Sequence, residues 1–289
     1  MAHIAVAQQA YLEACLLELS AIKPGNVGYH SSGHGMTSAE FEISAEVSSK
    51  VLFDSTISTT GERILAAVQS TQQAVQDNTN LGIILLVAPL AQVIMSPPTG
   101  RDLRTMIERQ INQLTIADAR HTYQAIRLAQ AGGMGEVAEH DIQHEPTITL
   151  KQAMTVAAEY DRVAYQYHTN YEDIFDHNLA IYQTYLQRWK SQKWAATAVY
   201  LSQLMRQPDS LIIRKHGVLK AQQISDMIAP LAEQIFAAVD PVPLSDQLLS
   251  LDTELKASAI NPGTTADITV ATLFTAKIIE AGILGQSTK

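Results

Sequence analysis

The chain is poor in cysteine and in positive charge, and each shortage excludes a class of protein. Cys15 is the single cysteine among 289 residues, so no intrachain disulfide can form. Lys and Arg number 20 against 29 Asp and Glu, which gives a formal net charge of -9. Because duplex binding needs a basic surface that displaces counterions, we expect no nucleic-acid partner. A small polyanionic ligand remains compatible with this charge, since a few local cations or a metal ion can outweigh the global field.

The chain also lacks an apolar run long enough to span a bilayer. Its longest apolar run, residues 81–95, is interrupted by Pro89 and Gln92 and is expected to form a buried core helix. The N-terminus has neither a basic segment nor a cleavage-like site, so we expect no secretory signal, no membrane partner and a cytoplasmic location. With 46% hydrophobic and 17% charged residues, the composition predicts a globular protein and is compatible with a homo-oligomer.

Helical periodicity dominates what is present. Apolar residues recur at three- and four-residue spacing from Ala2 to Ala21, and Cys15 on that face is expected to be an inert core thiol. Capping-box patterns at Thr37 and Thr59 begin two further helices. More helical runs are predicted to start near Asn80, Arg101, Thr115, Leu150, Tyr171, Gln192, Ala221, Ser245 and Thr264. We therefore predict an all-α fold, a single compact multi-helix domain over residues 1–289 with polar loops between its helices.

Only one short segment raises the question of a strand. The apolar run Ser210-Leu211-Ile212-Ile213-Arg214 fits either a strand or the end of a helix. No longer window alternates convincingly between apolar and polar residues. The choice between strand and helix therefore stays open for this segment.

A loop rich in Gly, Pro, Asn and His follows the first predicted helix. It contains Lys23-Pro24-Gly25-Asn26-Val27 and then Ser32-Gly33-His34-Gly35-Met36-Thr37. Glycines let the backbone approach a ligand closely, and Lys23 and His34 add polar groups. Glu18, one turn before the helix ends, is either a solvated surface residue or a carboxylate directed into this loop.

A second polar segment, Asp77-Asn78-Thr79-Asn80-Leu81-Gly82, precedes the most apolar helix. Its favoured interpretation is that Asn78 or Thr79 is the N-cap of that helix. The free amide groups at a helix start also form a ready anion site. Both interpretations remain open at this stage.

The longest stretch without periodicity runs from Gly132 to Thr149 and contains a polar group of residues. His140 and His144 are four apart, a spacing that binds zinc on a helix, but no third nitrogen or sulfur ligand is near. Asp141 and Glu145 favour a hard cation such as Mg²⁺ instead. A simple acidic surface loop explains the same residues equally well.

Two further segments complete the polar set. Arg214, Lys215 and His216 are consecutive in an acidic chain, which fits a phosphate site or a set of partners for a helix C-terminus. The segment Asn261-Pro262-Gly263-Thr264-Thr265-Ala266-Asp267 precedes the last helix. Its Thr264, Thr265 and Asp267 oxygens fit either a helix cap or a Mg²⁺ site.

Taken in order, these segments resemble the triphosphoribosyl-dephospho-CoA synthase family over nearly the whole chain. The matching segments are 17–27, 78–82, 209–217 and 261–267. The resemblance implies a predominantly helical, Mg²⁺-using pentosyltransferase. Such an enzyme moves the triphosphoribosyl group of ATP to 3′-dephospho-CoA and releases adenine.

One segment departs from the family pattern. Where those synthases typically read Asn-Thr-His-Lys-Gly, this chain reads Asn78-Thr79-Asn80-Leu81-Gly82. This form resembles a divergent branch in methanogens and methylotrophs that is linked to one-carbon, pterin-cofactor metabolism. The departure leaves the identity of the acceptor open.

The resemblance and the residue chemistry together assign hypothetical roles. Substitution at ribose C1′ needs charge neutralisation on the triphosphate, a carboxylate near the developing cation, and proton transfer. Glu18 and His34 are the catalytic candidates; Lys23, Gly25, Asn26, Asn78, Thr79, Arg214, Lys215, His216, Thr264 and Thr265 are the substrate-binding candidates; Asp141, Glu145 and Asp267 are the Mg²⁺ candidates. The rival hypotheses are a Mg²⁺-dependent hydrolase of nucleotide derivatives, another ribosyl-phosphate transferase of one-carbon or pterin-cofactor biosynthesis, and a nucleotide-binding protein without catalysis.

Overall fold

Helices account for the named regular structure in residues 2–95, 102–130 and 142–284, the ranges that the computed structural model describes. The helices are α1 (Ala2–Ser20), α2 (Ser38–Leu52), α3 (Thr60–Val75), α4 (Leu81–Met95), α5 (Leu103–Asn112), α6 (Ile116–Leu128), α7 (Leu150–Ala157), α8 (Arg162–Thr169), a π-helix (Asp173–Asn178), α9 (Leu179–Trp189), α10 (Gln192–Arg206), α11 (Ser210–His216), α12 (Val218–Ala237), a 3₁₀-helix (Val242–Leu244), α13 (Ser245–Ala257) and α14 (Gly263–Glu280). Two isolated β-bridges, Gly28 with Ser31 and Gly33 with Met36, lie in the loop after α1. The all-α prediction is confirmed.

Most helix starts lie within three residues of the predicted positions, because local caps set them. At Thr59 the capping box is complete: its hydroxyl accepts from Glu62 N at 3.2 Å, and its own N–H donates to the Glu62 carboxylate at 3.2 Å. Helix α8 was not predicted, although Asp161 caps it by accepting from Ala164 N at 3.0 Å. The segment after residue 209 is helical in α11, which resolves the choice between strand and helix.

Helix α4 is the central, almost fully buried element of the fold. Pro89 lies inside it and has no N–H to donate to the Leu85 carbonyl one turn earlier. The Tyr167 hydroxyl donates to that carbonyl at 2.6 Å, and the Tyr171 hydroxyl donates to Leu86 O at 2.6 Å. Two buried tyrosines thus satisfy the carbonyls near the proline and tie α4 to the segment around α8.

The buried side chains form two clusters, and the first interhelix loop lies between them. One cluster surrounds α4 and α14 and includes Ala21, whereas the other joins α10 to α13 and includes Ile22. The residues that begin the loop after α1 are therefore packed into both core clusters, one into each. None of the described helices has the length and apolar character needed to cross a membrane.

Candidate functional site

The loop after α1 contacts the loop before α14. The Asn26 side-chain amide donates to Asn261 Oδ1 at 2.9 Å. Gly25 has φ +86° and packs so closely that a Cβ there would lie 2.8 Å from Pro262 Cδ. Only glycine accommodates both the left-handed backbone and this approach. Tertiary packing thus brings together two Gly-Pro loops that are more than 230 residues apart.

Glu18 and Lys23 form a closed ion pair beneath this loop. Their side chains are 6% and 1% exposed, respectively. The Lys23 ammonium donates to Glu18 Oε1, to Asn26 Oδ1 at 3.0 Å and to Val27 O at 2.8 Å, so its three hydrogens are all engaged. Burial raises the pKa of Glu18 and lowers the pKa of Lys23, and the attraction between the two groups opposes both shifts. Lys23 therefore has no free donor for a phosphate in this conformation.

The second half of the loop is attached to α13. Asp252 accepts from Gly25 N at 2.8 Å and from the Ser31 hydroxyl, and Lys256 bonds to both Ser31 and Asp252. His34 is half-buried, and its Nε2 lies 2.8 Å from Gly25 O. The imidazole thus lies at the edge of the loop, next to the backbone that carries Gly25 and Asn26.

Asp209 caps two helices at once. Its Oδ1 accepts from Leu211 N at 2.8 Å and Ile212 N at 3.1 Å at the start of α11. Its Oδ2 accepts from the Thr265 N–H and hydroxyl, at 2.7 and 2.8 Å, at the start of α14. The Ser210 and Thr264 hydroxyls bond to each other at 3.0 Å beside it. The two threonines expected to cap α14 instead join its first turn to α11.

Asp267 lies in the second turn of α14 against the start of α4. A Cβ at Gly82 would lie 2.1 Å from Asp267 Oδ2, so the carboxylate occupies the space that a side chain would fill. Burial raises the pKa of Asp267 well above its usual range, and the charges of Asp209 and Glu18 raise it further. Among the described residues, none donates a hydrogen bond to this carboxylate. Its charged form therefore lacks a partner where α4 and α14 meet.

The segment before α4 has a structural arrangement. The Asn78 side chain accepts from Leu81 N at 3.3 Å, which is the N-capping contact expected from the sequence. The buried Thr79 hydroxyl bonds to the Ser44 hydroxyl, and Asn80 Nδ2 donates to Ser44 O at 3.3 Å. This segment is fixed against α2.

A small, mainly apolar pocket lies between α1, α2, α4 and α14. It is lined by Tyr11, Cys15, Glu18, Leu19, Phe41, Ala45, Asn80, Ile83 and Val270. Glu18 and Asn80 supply the carboxyl and amide groups of this lining. Cys15 is buried, and burial raises the pKa of its thiol far above its usual value, as expected for an inert core residue. Gly82 lies between the lining residues Asn80 and Ile83 in the chain. Because Gly82 packs against Asp267, the pocket is close to this carboxylate.

The three consecutive basic residues of α11 separate in space. Arg214 is half-buried and donates through Nη1 to Asp161, the residue that caps α8. Lys215 and His216 are exposed, and His216 Nε2 lies 3.2 Å from Ala259 O. All three are in the last turn of α11, where cations also offset the helix dipole. Only Arg214 reaches the surroundings of Asp267, whose pKa it lowers.

An arginine cluster that was not recognised in the sequence lies next to Arg214. Asp173, fully buried at the start of the π-helix, accepts from Arg162 Nε at 2.7 Å and Nη2 at 2.8 Å, and from Arg206 Nη2 at 3.0 Å. Asn170 and Tyr171 have positive φ of 54° and 64°, so the chain reverses and returns Asp173 to Arg162. The sequence feature that could have indicated this cluster is the capping residue Asp161 followed directly by Arg162.

The Mg²⁺ candidates are not gathered in one place. Glu145 is exposed and paired with Arg120 at 2.8 Å, while Asp141 and His140 lie outside the described residues. In the part of the chain that the structure describes, no group of three or more His, Cys, Asp or Glu is arranged to hold a metal ion. A single carboxylate such as Asp267 is still compatible with Mg²⁺, because this ion commonly binds one or two protein carboxylates together with substrate phosphates.

Comparisons with known proteins agree with this architecture. A crystal structure assigned as a triphosphoribosyl-dephospho-CoA synthase from Archaeoglobus fulgidus superposes with a TM-score of 0.62 at 22% sequence identity, covering 82% of this chain and 96% of that chain. That likeness shows the shared fold. No curated protein matches the chain significantly. The family described as ATP:dephospho-CoA triphosphoribosyl transferase matches residues 4–284. With that match spanning both core clusters and every loop described above, the chain belongs to the ATP:dephospho-CoA triphosphoribosyl transferase family.

Proposed function

We propose that this chain transfers the triphosphoribosyl group of ATP to the hydroxyl of 3′-dephospho-CoA or a related acceptor, and that the reaction takes place beside Asp267. Family membership supports the reaction class. We infer the location from Asp267, because its carboxylate lies between α4 and α14 without a hydrogen-bond donor among the described residues.

The reaction breaks the bond between ribose C1′ and N9 of adenine and forms a bond between C1′ and the acceptor oxygen. The acceptor hydroxyl loses one proton, and the departing adenine gains one, so no redox partner is needed. Positive charge develops on the ribose ring in the transition state. A buried carboxylate near C1′ and general acid or base assistance would each lower the barrier, the latter by about 10²–10⁴-fold.

Asp267 is the residue that we assign to Mg²⁺. Burial and the neighbouring Asp209 and Glu18 make its charge unfavourable without a cation, and a metal ion would relieve that cost. When bound, Mg²⁺ would supply positive charge to the triphosphate oxygens. Asp209 already accepts four hydrogen bonds from helix starts, so we assign it a structural role.

The remaining roles follow from what each side chain already contacts. Glu18 lines the pocket and is our candidate to stabilise the developing cation, with Lys23 as its positioning residue. His34, next to Gly25 O, is the candidate for proton transfer at the outer edge of the loop. Arg214 is our candidate to bind a phosphate group of ATP.

The acceptor is the least determined partner. Asn80 occupies the position where the family typically has His, and its amide is already bonded to Ser44 O and the Ser48 hydroxyl at 3.3 Å each. Leu81, at the position of the family's Lys, is buried in the core. A phosphate group of the acceptor would thus find neither cation there, which is why we include acceptors related to dephospho-CoA.

The test is adenine release, measured by mass spectrometry after incubation with ATP, Mg²⁺ and a panel of acceptors that includes 3′-dephospho-CoA. We expect adenine and a matching ribosylated acceptor from the wild type. Asp267→Asn should lower the rate at least about 100-fold, the lower end of what one such group contributes. Asp246→Asn removes an exposed carboxylate from α13 and should leave the rate unchanged.

Three outcomes separate the alternatives. Free ribosyl triphosphate in place of a ribosylated acceptor would identify a hydrolase. ATP binding without adenine release under any acceptor would identify a binding protein. Full activity in a folded Asp267→Asn variant would overturn the location of the site.

A further inference from the structure

We propose that Arg162 and Arg206, together with Arg214, form the surface that binds the phosphate groups of ATP. This inference rests on the proposed function, because it supplies the triphosphate with ligands at the same site. It also replaces Lys23, whose three ammonium hydrogens are already engaged.

Asp173 orients two of these arginines. It receives two hydrogen bonds from Arg162 and one from Arg206, and the amides of Gln166 and Gln203 donate to it at 2.7 and 3.3 Å. One carboxylate therefore fixes two guanidinium groups that come from α8 and from the end of α10. A bidentate contact sets the plane of Arg162, so its remaining N–H groups point in a defined direction.

The guanidinium groups keep donors that nothing in the described chain uses. Arg162 binds Asp173 through Nε and Nη2, which leaves its Nη1 without a bond to any described residue. In Arg206 and Arg214 the Nε atoms are buried and have no hydrogen-bond partner among the described residues. Buried N–H groups without acceptors are uncommon because they cost about 1–3 kcal/mol each. These two Nε atoms are shielded, so a ligand rich in acceptor oxygens would bind through the outer nitrogens that also lack a described partner, Arg206 Nη1 and Arg214 Nη2, together with Arg162 Nη1.

The start of α14, the helix that carries Asp267, lies close to this cluster. The backbone N–H of Arg162 donates to the Ser210 hydroxyl at 3.2 Å, and that hydroxyl donates to Thr264 in the first turn of α14. Asp161, adjacent to Arg162, pairs with Arg214. The charges of Arg214 and Asp161 both act on the pKa of Asp267. A triphosphate beside Asp267 would therefore lie near Arg214, with Arg162 close to Arg214 through Asp161.

Exposure is compatible with the same assignment. The guanidinium groups pair with Asp161 and Asp173, and the charges of Glu172 and Asp209 also act on Arg206 and Arg214, respectively, so the assignment depends on unused donors and not on net charge. The arginine side chains are 17%, 27% and 21% exposed for Arg162, Arg206 and Arg214. They are thus accessible to a ligand yet shielded enough for charge-assisted bonds to exceed those of a surface pair.

The experiment measures binding of inorganic tripolyphosphate with Mg²⁺ by calorimetry, which needs no turnover. We expect Arg162→Gln and Arg206→Gln each to weaken binding at least tenfold. Arg188→Gln serves as the matched control, because Arg188 is an exposed arginine that contacts the last two backbone carbonyls of α12. Unchanged affinity in both folded cluster variants would overturn the proposal.

A paired variant separates ligand binding from a structural role. Arg162→Gln alone leaves Asp173 with less compensation and is expected to be less stable, whereas Arg162→Gln with Asp173→Asn removes both charges together. We expect this pair to regain stability while tripolyphosphate affinity stays low. Recovery of both stability and affinity would assign Arg162 a structural role only and overturn the proposal.

The result is independent of the test of the proposed function. If tripolyphosphate binding depends on the arginines but no adenine is released, the phosphate surface stands and the transferase assignment fails. If adenine is released and the KM for ATP is unchanged in Arg162→Gln and Arg206→Gln, the transferase assignment stands and this inference fails.

Discussion

Glu18 and Asp173 are two buried carboxylates that hold their cations in opposite ways. Next to Glu18, the Lys23 ammonium donates all three of its hydrogens to protein acceptors, so the pair is closed in the sense that no donor remains for a ligand. Around Asp173 two arginines share one carboxylate and retain unused N–H groups. The first arrangement satisfies its cation completely, whereas the second leaves guanidinium donors that no described residue uses.

The contrast separates buried charges that hold the fold from buried charges that are available for binding. A closed pair has little to gain from a ligand, because a phosphate would have to displace contacts that are already good. An open cluster has unused donors that a ligand can bind without breaking existing bonds. Substitutions at Lys23, Asp173 and Tyr165 are expected to distinguish the two cases.

Lys23→Met should be the most damaging single change in the comparison. It leaves the Glu18 carboxyl buried without its cation, and breaking a buried pair in this way typically costs about 3–5 kcal/mol. The free energy of unfolding from urea titration measures this loss. Lys50→Met, at an exposed lysine of α2, should change stability by about 0.5 kcal/mol or less.

The double change Glu18→Gln with Lys23→Met provides the decisive control. Removing both charges together should restore most of the lost stability, because no uncompensated charge remains. We expect this variant to fold and to release no adenine, since Glu18 is the proposed catalytic residue. A stable Lys23→Met protein that has merely lost tripolyphosphate affinity would contradict the closed-pair interpretation and return Lys23 to the phosphate ligands.

Asp173→Asn should have an intermediate and pH-dependent effect. Burial by itself would raise the pKa of Asp173, but the hydrogen bonds and charge of Arg162 and the charge of Arg206 outweigh burial, so the pKa lies below its usual value. A carboxyl with a depressed native pKa contributes stability above its unfolded pKa of about 3.9, and that contribution is lost as the pH falls through the native pKa. At pH 7 we expect the variant to lose about 2 kcal/mol.

The difference between wild type and Asp173→Asn is the quantity to follow, by urea unfolding at several pH values from 7 downwards. It should be constant near neutrality and shrink only below about pH 4. A difference that instead grows as the solution is acidified would have the wrong sign. Such a result would mean that Asp173 is not held ionised by the two arginines.

Tyr165→Leu should produce the smallest effect. The Arg162 guanidinium carbon lies 3.6 Å from the centre of the Tyr165 ring, which covers one face of the cation. Loss of a partly exposed cation–π contact is worth about 0.5–1 kcal/mol, or a few-fold in tripolyphosphate affinity. Tyr165→Phe keeps the ring and loses only the hydroxyl contact to Glu172 at 3.1 Å, so its affinity should match the wild type. Equal weakening in both variants would assign the effect to the hydroxyl.

The sequence predicted the fold well because helix starts are local features. The caps at Thr37 and Thr59 are read from residues three positions apart, and the class of fold follows from the apolar periodicity. Helix α8 was not predicted from the sequence because it is short and is separated from α7 by only a few residues. Its cap, Asp161, was the available signal.

The candidate site was predicted less completely, because charge alone does not reveal what a side chain contacts. Lys23 and Arg214 look equally suited to phosphate in the sequence, yet one is engaged by Glu18 and the other retains a free Nε. The distance along the chain explains the omission of the arginine cluster. Asp173 is 11 residues from Arg162 and 33 from Arg206, spacings that no helical or strand periodicity connects.

The all-α class, most of the helix starts and the family follow from the order of residues along the chain, because periodicity, caps and ordered motifs are properties of neighbouring residues. Which charged groups are fully paired and which keep unused donors depends on how the helices pack. This packing placed Asp267 against Gly82, gave Asp209 two helices to cap, and brought Asp173 between two arginines. The physical reason is that burial and hydrogen-bond satisfaction depend on segments that meet only when the helices pack.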